Sequence, residues 1–475
     1  MLTITFDNSY ARDLDGMYLP FQGPGAPDPT LVWLNTGLAE ALGLDPAALA
    51  SPQGLAMLSG GAMPEGASPL AMAYAGHQFG GFSPQLGDGR AMLVGEVIDR
   101  TGARRDLHLK GSGRTPFSRG GDGKAVLGPV LREVLMGEAM AALGIPTTRA
   151  LAAVTTGEQV WREGWQPGAV LARVASSHLR VGTFQFFYAS QEVARLRRLA
   201  DYAIARHDPD LGGPDRYLAF LHRVIGRQMD LVARWMGVGF VHGVMNTDNM
   251  AISGETIDYG PCAFLDAHDP AAVFSSIDRQ GRYAYGNQPL LARWNLARLG
   301  ECMLPLLADD PAAALPEVQA AIEGAEAVYA QARRQVFGAK LGVEDDALTD
   351  RFLDMLTAQG GDFTLSFRAL ADAARGATGA LETQIGADPR LGDWLAEWQA
   401  RRSIGPEALE ATNPLFIPRN HRVEEALSAA TTGDMAPFAR MMAVLADPFR
   451  VQSGAEDLTT PAPAGSAPHV TFCGT

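Results

Sequence analysis

The spacing of apolar residues divides the chain into a strand-rich first part and a helical second part. Up to about residue 175, short apolar runs alternate with turn residues, as in Asp106–Lys110, where the leucines face one way and Lys110 the other. Beyond that point, apolar residues recur at intervals of three and four. Residues 192–206 and 216–235 show this spacing clearly, which predicts helices. The pattern as a whole predicts an α+β fold.

One stretch, residues 240–260, combines an apolar pattern with candidate chemistry. It holds three polar residues with side-chain oxygens, Asp248, Asn249 and Asp258. Ser253-Gly254 has apolar residues on both sides, which predicts a two-residue hairpin turn. That register places Asn249 opposite Asp258, with Cβ atoms roughly 4.5–5.5 Å apart.

An amide oxygen and a carboxylate at that separation can bind one hard cation such as Mg²⁺. We therefore expect Asn249 and Asp258 to be metal ligands. Asp248 comes one residue earlier, so its side chain points to the other face and is free for other chemistry. Asp and Asn are also common in turns, and a hairpin without a metal is the alternative.

A lysine and a glutamate in the first part form a candidate ion pair. Pro129 can begin a helix that ends near Gly144. Glu133 lies on the apolar face of this helix, so its carboxylate is partly buried and needs a partner. A lysine at the end of a half-buried strand is usually solvated, but Lys110 resembles the strand-three lysine that pairs with a glutamate in protein kinases, and this resemblance makes it the candidate. Periodicity leaves Glu138 open as an alternative to Glu133.

A glycine-rich turn precedes the strand that begins at Ala91. In Gly87-Asp88-Gly89-Arg90, glycines permit close approach of backbone N–H groups to an anion, and Arg90 adds positive charge. A plain Asp-Gly turn is the alternative. Two further arginines, Arg173 and Arg180, are isolated in the sequence, and such residues are ordinarily surface charges.

Composition limits the partners and the compartment. The chain has 475 residues and a formal charge of −14, and it has no Lys/Arg run, which argues against nucleic acid and anionic membranes as partners. No apolar stretch reaches the ~18 residues of a transmembrane helix, and the N-terminus lacks the features of a signal peptide. Three cysteines cannot form a disulfide framework. We expect a cytoplasmic enzyme.

Several motifs resemble those of protein kinases. The segment from His242 to Asn249 has the spacing of the kinase catalytic loop H-R-D-x-x-x-x-N, and Asp258-Tyr259-Gly260 resembles the following D-F-G. Val244 stands where a kinase has its catalytic Asp. Together with the glycine-rich segment of residues 73–90, these motifs resemble the selenoprotein O (YdiU) family. Its members are pseudokinases by sequence and act as protein adenylyltransferases.

The resemblance implies a two-lobed, kinase-like fold with a mixed, β-rich N-lobe over residues 1–175 and a mainly helical C-lobe over residues 176–453. Residues 454–475 would form a flexible tail that carries Cys473. ATP would bind in the reverse orientation to that in kinases and present its α-phosphate. The resemblance also favours Glu133 over Glu138. The nucleotide-binding residues it implies are Gly87, Gly89, Arg90, Lys110, Asp122, Gly123, Glu133, Arg173 and Arg180.

In this interpretation Asp248 is the catalytic base, and Mg²⁺ or Mn²⁺ is bound by Asn249 and Asp258. AMP would pass from ATP to Ser, Thr or Tyr hydroxyls of protein substrates, with release of pyrophosphate. Two alternatives stay open, an atypical kinase that transfers the γ-phosphoryl group and a nucleotide-binding regulator without catalysis. A reversible disulfide between Cys262 and Cys473 is a further hypothesis.

Overall fold

The computed structural model describes residues 2–386 and 388–472. Strands are concentrated before residue 175 and helices after it, which confirms the predicted α+β, kinase-like architecture. The strands are β1 (Tyr18–Pro20), β2 (Thr30–Leu34), β3 (Leu70–Met72), β4 (Gly76–Gln78), β5 (Gly81–Ser83), β6 (Ala91–Ile98), β7 (Arg104–Lys110), β8 (Ala125–Val126), β9 (Arg149–Trp161), β10 (Trp165–Ala175), β11 (Phe240–Val241) and β12 (Ala263–Phe264).

Eight of these strands form one antiparallel sheet in the order β1-β3-β6-β7-β10-β9-β2, with β8 paired to β10. Alternate side chains of β6 enter two different cores. Leu93 packs against the helix that follows β8, whereas Met92 and Val94 pack against the short helices before β3. Because both faces of the sheet are covered, even polar residues of β7 are buried.

The helices before residue 175 are α1 (Ser9–Asp13), α2 (Thr36–Ala41), α3 (Pro46–Leu49), α4 (Pro52–Leu58) and α5 (Leu127–Ala142). Those after it are α6 (Val181–Ala189), α7 (Val193–His207), α8 (Arg216–Val238), α9 (Gln288–Leu307), α10 (Pro311–Leu341), α11 (Asp346–Gln359), α12 (Phe363–Ala374), α13 (Gly379–Ile385), α14 (Leu391–Arg401), α15 (Pro406–Thr412), α16 (Asn420–Thr431) and α17 (Ala436–Leu445). Helices α5, α7 and α8 confirm the three that periodicity predicts.

Helix α8 immediately precedes the stretch of residues 240–260. Gly239 ends the helix in the left-handed conformation, at φ 71°, and β11 starts at the next residue. A side chain at Gly239 would also approach the Phe363 ring at 3.0 Å, so both the turn and the close packing require glycine. Among the described residues, no helix combines the length and apolar character that a bilayer crossing requires.

The limits of the lobes and of the tail stay predictions. The last strand of the large sheet ends at Ala175, the residue at which the sequence predicts the boundary. In the predicted tail, Thr471 pairs with the loop at Ser275 through two backbone hydrogen bonds of 2.8 and 2.9 Å. Cys473 lies outside the described residues.

Candidate active site

A cleft of about 860 Å³ lies between the sheet and the helices. The residues that the sequence predicts as functional line this cleft, although they lie up to about 170 residues apart in the chain. Those that line it are Gly87, Gly89, Arg90, Lys110, Asp122, Gly123, Glu133, Arg173, Arg180, Asp248, Asn249 and Asp258. Their proximity makes one joint site possible, whereas the role of each residue stays a prediction.

Asp258 is the electrostatic centre of the cleft. Its Oδ1 accepts hydrogen bonds from Lys110 Nζ at 2.7 Å and Arg173 Nη1 at 2.8 Å, and its Oδ2 accepts one from Arg180 Nη1 at 2.8 Å. Burial acts to raise the pKa of Asp258, but Lys110 and the two arginines outweigh it and hold the pKa well below its ordinary value. The carboxylate is therefore ionised at any physiological pH.

The two arginines are not surface charges. The side chains of Arg173 and Arg180 are each only 3% exposed. Arg180 also donates to the backbone carbonyl of Asp248 at 2.7 Å and stacks over the Tyr74 ring, 4.6 Å from its centroid. These contacts fix the planar guanidinium groups beside the cleft, where their remaining donors can meet phosphate oxygens.

Lys110 forms an ion pair with Glu133, as the sequence predicts. Glu138, the alternative, instead accepts two hydrogen bonds from Arg149, of 2.9 and 2.6 Å. The apolar face of α5 therefore leads to the right helix, but only the tertiary structure separates the two glutamates. The Lys110–Glu133 pair holds the lysine at the position where it also reaches Asp258.

The predicted hairpin around Ser253-Gly254 is wrong. Ala251 pairs with Arg180 instead of Thr256, and Thr256 pairs with Thr147. Hydrogen bonds of 2.9–3.0 Å connect residues 250 and 252 to residues 181 and 179, and residue 256 to residues 146 and 148. The segment satisfies its backbone groups with two distant segments, so Asn249 and Asp258 are not cross-strand neighbours.

Local backbone conformation, in place of a hairpin, directs the side chains of Asn249 and Asp258. Residues Thr247–Asn249 form one turn of 3₁₀ helix, and Asp258 adopts φ 64°, which is unusual for a residue with a side chain. Both Asn249 and Asp258 still face the cleft. Such backbone strain concentrates at sites where a side chain must be aimed in one direction.

The donor set of Asn249 and Asp258 fits a magnesium or manganese ion bound together with a polyphosphate. Asn249 Nδ2 donates to the Val244 carbonyl at 3.0 Å, which leaves its Oδ1 as the side-chain atom able to bind a cation. Within residues 2–386 and 388–472, no three His, Cys, Asp or Glu side chains are grouped as a protein-only metal site would need. Mg²⁺ typically takes one or two protein ligands and completes its shell with phosphate and water.

Asp248 lies beside this arrangement and is covered by the β4–β5 hairpin. Gln78 Nε2 donates to Asp248 Oδ2 at 3.2 Å, while Oδ1 is buried and has no hydrogen-bond partner among the described residues. A Cβ atom on Gly76 would lie 2.5 Å from Oδ1, so glycine is required for the hairpin to pack this closely. Burial raises the pKa of Asp248 to about 6. These properties suit a proton acceptor.

The glycine-rich segment of residues 73–90 and a second glycine-rich loop, between β7 and β8, form another wall of the cleft. Gly87 adopts φ 65°, and a Cβ atom there would clash with the Phe117 ring. Gly123 adopts φ 71° and packs equally closely on the Gly113 carbonyl. Asp122 is exposed and accepts two hydrogen bonds from Arg162, of 2.8 and 3.1 Å. Both glycines are thus required by the backbone itself.

Sequence reasoning missed several side chains that shape the cleft. Arg132 donates to the carbonyls of Gly260 at 3.2 Å and Cys262 at 2.7 Å, and so ties α5 to the loop that follows Asp258. Arg162 holds Asp122, and Gln78 holds Asp248. The sequence gives no sign of these contacts. Polar side chains outside an apolar pattern are usually solvated, so nothing distinguishes these three residues from surface residues.

The structure places Cys262 in a buried position, in which burial raises the pKa of its thiol to about 12. Such a thiol is a weak nucleophile. The predicted partner, Cys473, lies outside the described residues, so the disulfide stays a hypothesis. Phe472, the residue before it, lines the edge of the cleft.

Comparison with known proteins gives a consistent family. The family model described as "Protein adenylyltransferase SelO" matches residues 1–446. Proteins named protein nucleotidyltransferase YdiU are 59% identical in Cereibacter sphaeroides (strain ATCC 17025), over all of both chains, and 53% identical in Bradyrhizobium sp. (strain ORS 278), over 99% of each. A protein of the same name from Chromobacterium violaceum is 55% identical, over 96% of this chain and 99% of its own.

Proposed function

The chain belongs to the SelO family of protein adenylyltransferases, an enzyme family, and from this premise we propose that it transfers AMP from ATP to Ser, Thr or Tyr hydroxyls of proteins. Pyrophosphate is the second product. The observation that carries the proposal is the convergence of three cationic side chains on Asp258, with Asp248 on the wall of the same cleft.

Positive charge in the cleft supports a polyphosphate ligand. Lys110, Arg173 and Arg180 share one carboxylate at Asp258, and Glu133 is a second carboxylate for Lys110 and, at 3.9 Å, for Arg173. Arg90 lies on the glycine-rich wall and forms no ion pair with a described residue. A triphosphate brings the negative charge that this group lacks, and backbone N–H groups near Gly87 and Gly89 can add hydrogen bonds.

Asn249 and Asp258 would hold the Mg²⁺ or Mn²⁺ ion that accompanies ATP. The ion would neutralise phosphate charge and polarise the phosphate that is attacked. The metal ion would compete for Asp258 with three cationic side chains, because they donate hydrogen bonds to both of its carboxylate oxygens in the structure. Binding of Mg·ATP would let these cations turn towards phosphate oxygens.

Asp248 would act as the base. The residue at the kinase position, Val244, is apolar and lines the cleft, so it can take no proton. The acceptor hydroxyl gives its proton to Asp248 while its oxygen forms a bond to the α-phosphorus. The bond from that phosphorus to the bridging oxygen breaks, and pyrophosphate carries away the electron pair. Presentation of the α-phosphate requires ATP to bind in the reverse orientation to that in kinases.

ATP labelled separately at the α- and γ-phosphorus tests the proposal. The purified chain is incubated with Mg²⁺ or Mn²⁺ and a mixture of proteins, and the protein fraction is counted. Label from the α-position alone supports adenylyl transfer. Label from the γ-position alone indicates a kinase, and an absence of both labels, with ATP still bound, indicates a regulator without catalysis.

A further inference from the structure

His108 lies directly behind the cleft, on β7, two residues before Lys110. Alternation along the strand places both side chains on the same face of the sheet. The ring is fully buried and does not itself line the cleft. It has no place in the chemistry proposed above, yet it contacts two residues that do line the cleft.

The hydrogen bonds of His108 fix its tautomer. Arg173 Nε lies 3.3 Å from Nδ1, and Asp88 Oδ2 lies 3.2 Å from Nε2. An arginine Nε always carries hydrogen, so Nδ1 must accept and is unprotonated. The carboxylate accepts, so Nε2 carries the proton. His108 is therefore neutral, and burial, which lowers its pKa, acts in the same direction.

Both partners belong to the proposed phosphate site. Asp88 is the central residue of Gly87-Asp88-Gly89, and its Oδ2 also accepts the backbone N–H of Met72 at 3.0 Å. Arg173 donates through Nη1 to Asp258 and through Nε to His108. The two bonds from one guanidinium define its plane, whereas a single bond would let it rotate.

We propose that His108 is a positioning residue that connects the glycine-rich loop to Arg173 and orients this guanidinium towards the phosphates of the nucleotide. This inference rests on the proposed function of Arg173 as a phosphate ligand. His108 touches neither substrate nor reacting atoms, so its replacement should weaken nucleotide binding through Arg173.

The chain offers a matched control in His178. Its ring stacks on His108 with centroids 4.1 Å apart, and it is equally buried. However, its Nδ1 bonds to Asp106 at 3.0 Å, and neither His178 nor Asp106 lines the cleft. Replacement of His178 therefore reproduces the loss of a buried, hydrogen-bonded imidazole without the connection to Arg173.

The experiment compares His108→Phe, His108→Asn and His178→Phe by steady-state kinetics with ATP and by thermal unfolding. Loss of a hydrogen bond to a charged group weakens binding by roughly tenfold, so we expect His108→Phe to raise KM for ATP about tenfold, with a smaller change in kcat. His108→Asn keeps an acceptor near the Nδ1 position and should recover part of this loss. His178→Phe should lower the unfolding temperature and leave KM within about twofold.

Arg173→Gln, alone and combined with His108→Phe, separates the two proposals. We expect Arg173→Gln to raise KM and the double variant to be no worse than Arg173→Gln, because both changes remove the same interaction. Multiplication of the two effects, or equal rises in KM for the His108 and His178 variants, overturns the positioning role alone. An unchanged KM in Arg173→Gln overturns the phosphate role of Arg173, and the positioning role with it. A His108→Phe protein that does not fold is replaced by Asp88→Ala, which removes the acceptor of His108 at the loop and should also raise KM.

Discussion

Replacement of Asp258 by alanine should make the free protein less stable and, at the same time, a better binder of metal-free ATP. In the free protein this carboxylate neutralises Lys110, Arg173 and Arg180 at 2.7–2.8 Å in a largely buried site. Removing one partner of a buried ion pair costs about 3–5 kcal/mol. The lower end applies here, because Lys110 keeps Glu133 and Arg180 keeps the Asp248 carbonyl.

Without the Asp258 carboxylate, Lys110, Arg173 and Arg180 carry uncompensated positive charge, and this charge should increase the affinity for ATP. If a triphosphate restores about 3 kcal/mol of lost neutralisation, metal-free ATP binds up to about 100-fold more tightly, at 1.4 kcal/mol per factor of ten. Transfer activity should be abolished, since the metal loses its carboxylate ligand. Unfolding in urea, followed by tryptophan fluorescence, measures the stability, and calorimetric titration of ATP in EDTA measures the affinity.

Asp362→Ala is the matched control for this experiment. Asp362 is a buried carboxylate that accepts hydrogen bonds from Arg419 at 2.7 and 3.2 Å, and neither residue lines the cleft. It should lose comparable stability and keep the ATP affinity of the unaltered protein. If Asp258→Ala unfolds at the same urea concentration as the unaltered protein and binds ATP in EDTA no more tightly, Asp258 is not the counter-ion of the three cations.

Three further changes test other parts of the argument. Asp248→Ala should lower the rate of AMP transfer by roughly 100-fold or more, as expected for a general base, and leave ATP affinity unchanged; a normal rate would exclude that role. Glu133→Gln should raise KM for ATP because Lys110 loses its ion pair, whereas Glu138→Gln, which affects Arg149, Asn35 and the Ala150 backbone outside the cleft, should not; equal effects would contradict the pairing. Lys340 is buried beside the Phe367 ring at 4.2 Å, and burial lowers its pKa to about 7. Between pH 10.5 and pH 7, the unfolded chain binds a proton at Lys340 and the folded chain does not, so this lysine destabilises the fold increasingly as pH falls. Lys340→Met should therefore stabilise the fold by a few kcal/mol, on the order of 1.4 kcal/mol per pH unit over this range. The full gain is expected below pH 7 and none above pH 10.5. Urea unfolding at pH 6.5 and 10.5 measures this difference, and an equal gain at both values would contradict the buried-lysine argument.

Local pattern in the sequence was sufficient for the fold class and for part of the site. Apolar residues recur every two positions in a half-buried strand and every three or four positions in a half-buried helix. Strands such as β7 and helices such as α8, and the face that each buries, could therefore be predicted. The same reasoning placed Glu133 on the apolar face of α5, left Glu138 open, and required a partner for a partly buried carboxylate. The choice of Glu133 with Lys110 came from the family resemblance, and the structure shows that pair.

Only the tertiary structure decided which groups meet. Residues 250–256 satisfy their backbone hydrogen bonds with segments about 70 and 110 residues earlier in the chain, and local spacing cannot distinguish this from a hairpin. The left-handed conformation of Asp258 and the burial of Arg173 arise in the same way, from contacts between distant segments. The residue types in the sequence therefore determine the available chemistry, whereas packing of the sheet against the helices brings these groups together, because hydrogen bonds and charges in a buried site are satisfied by spatial neighbours.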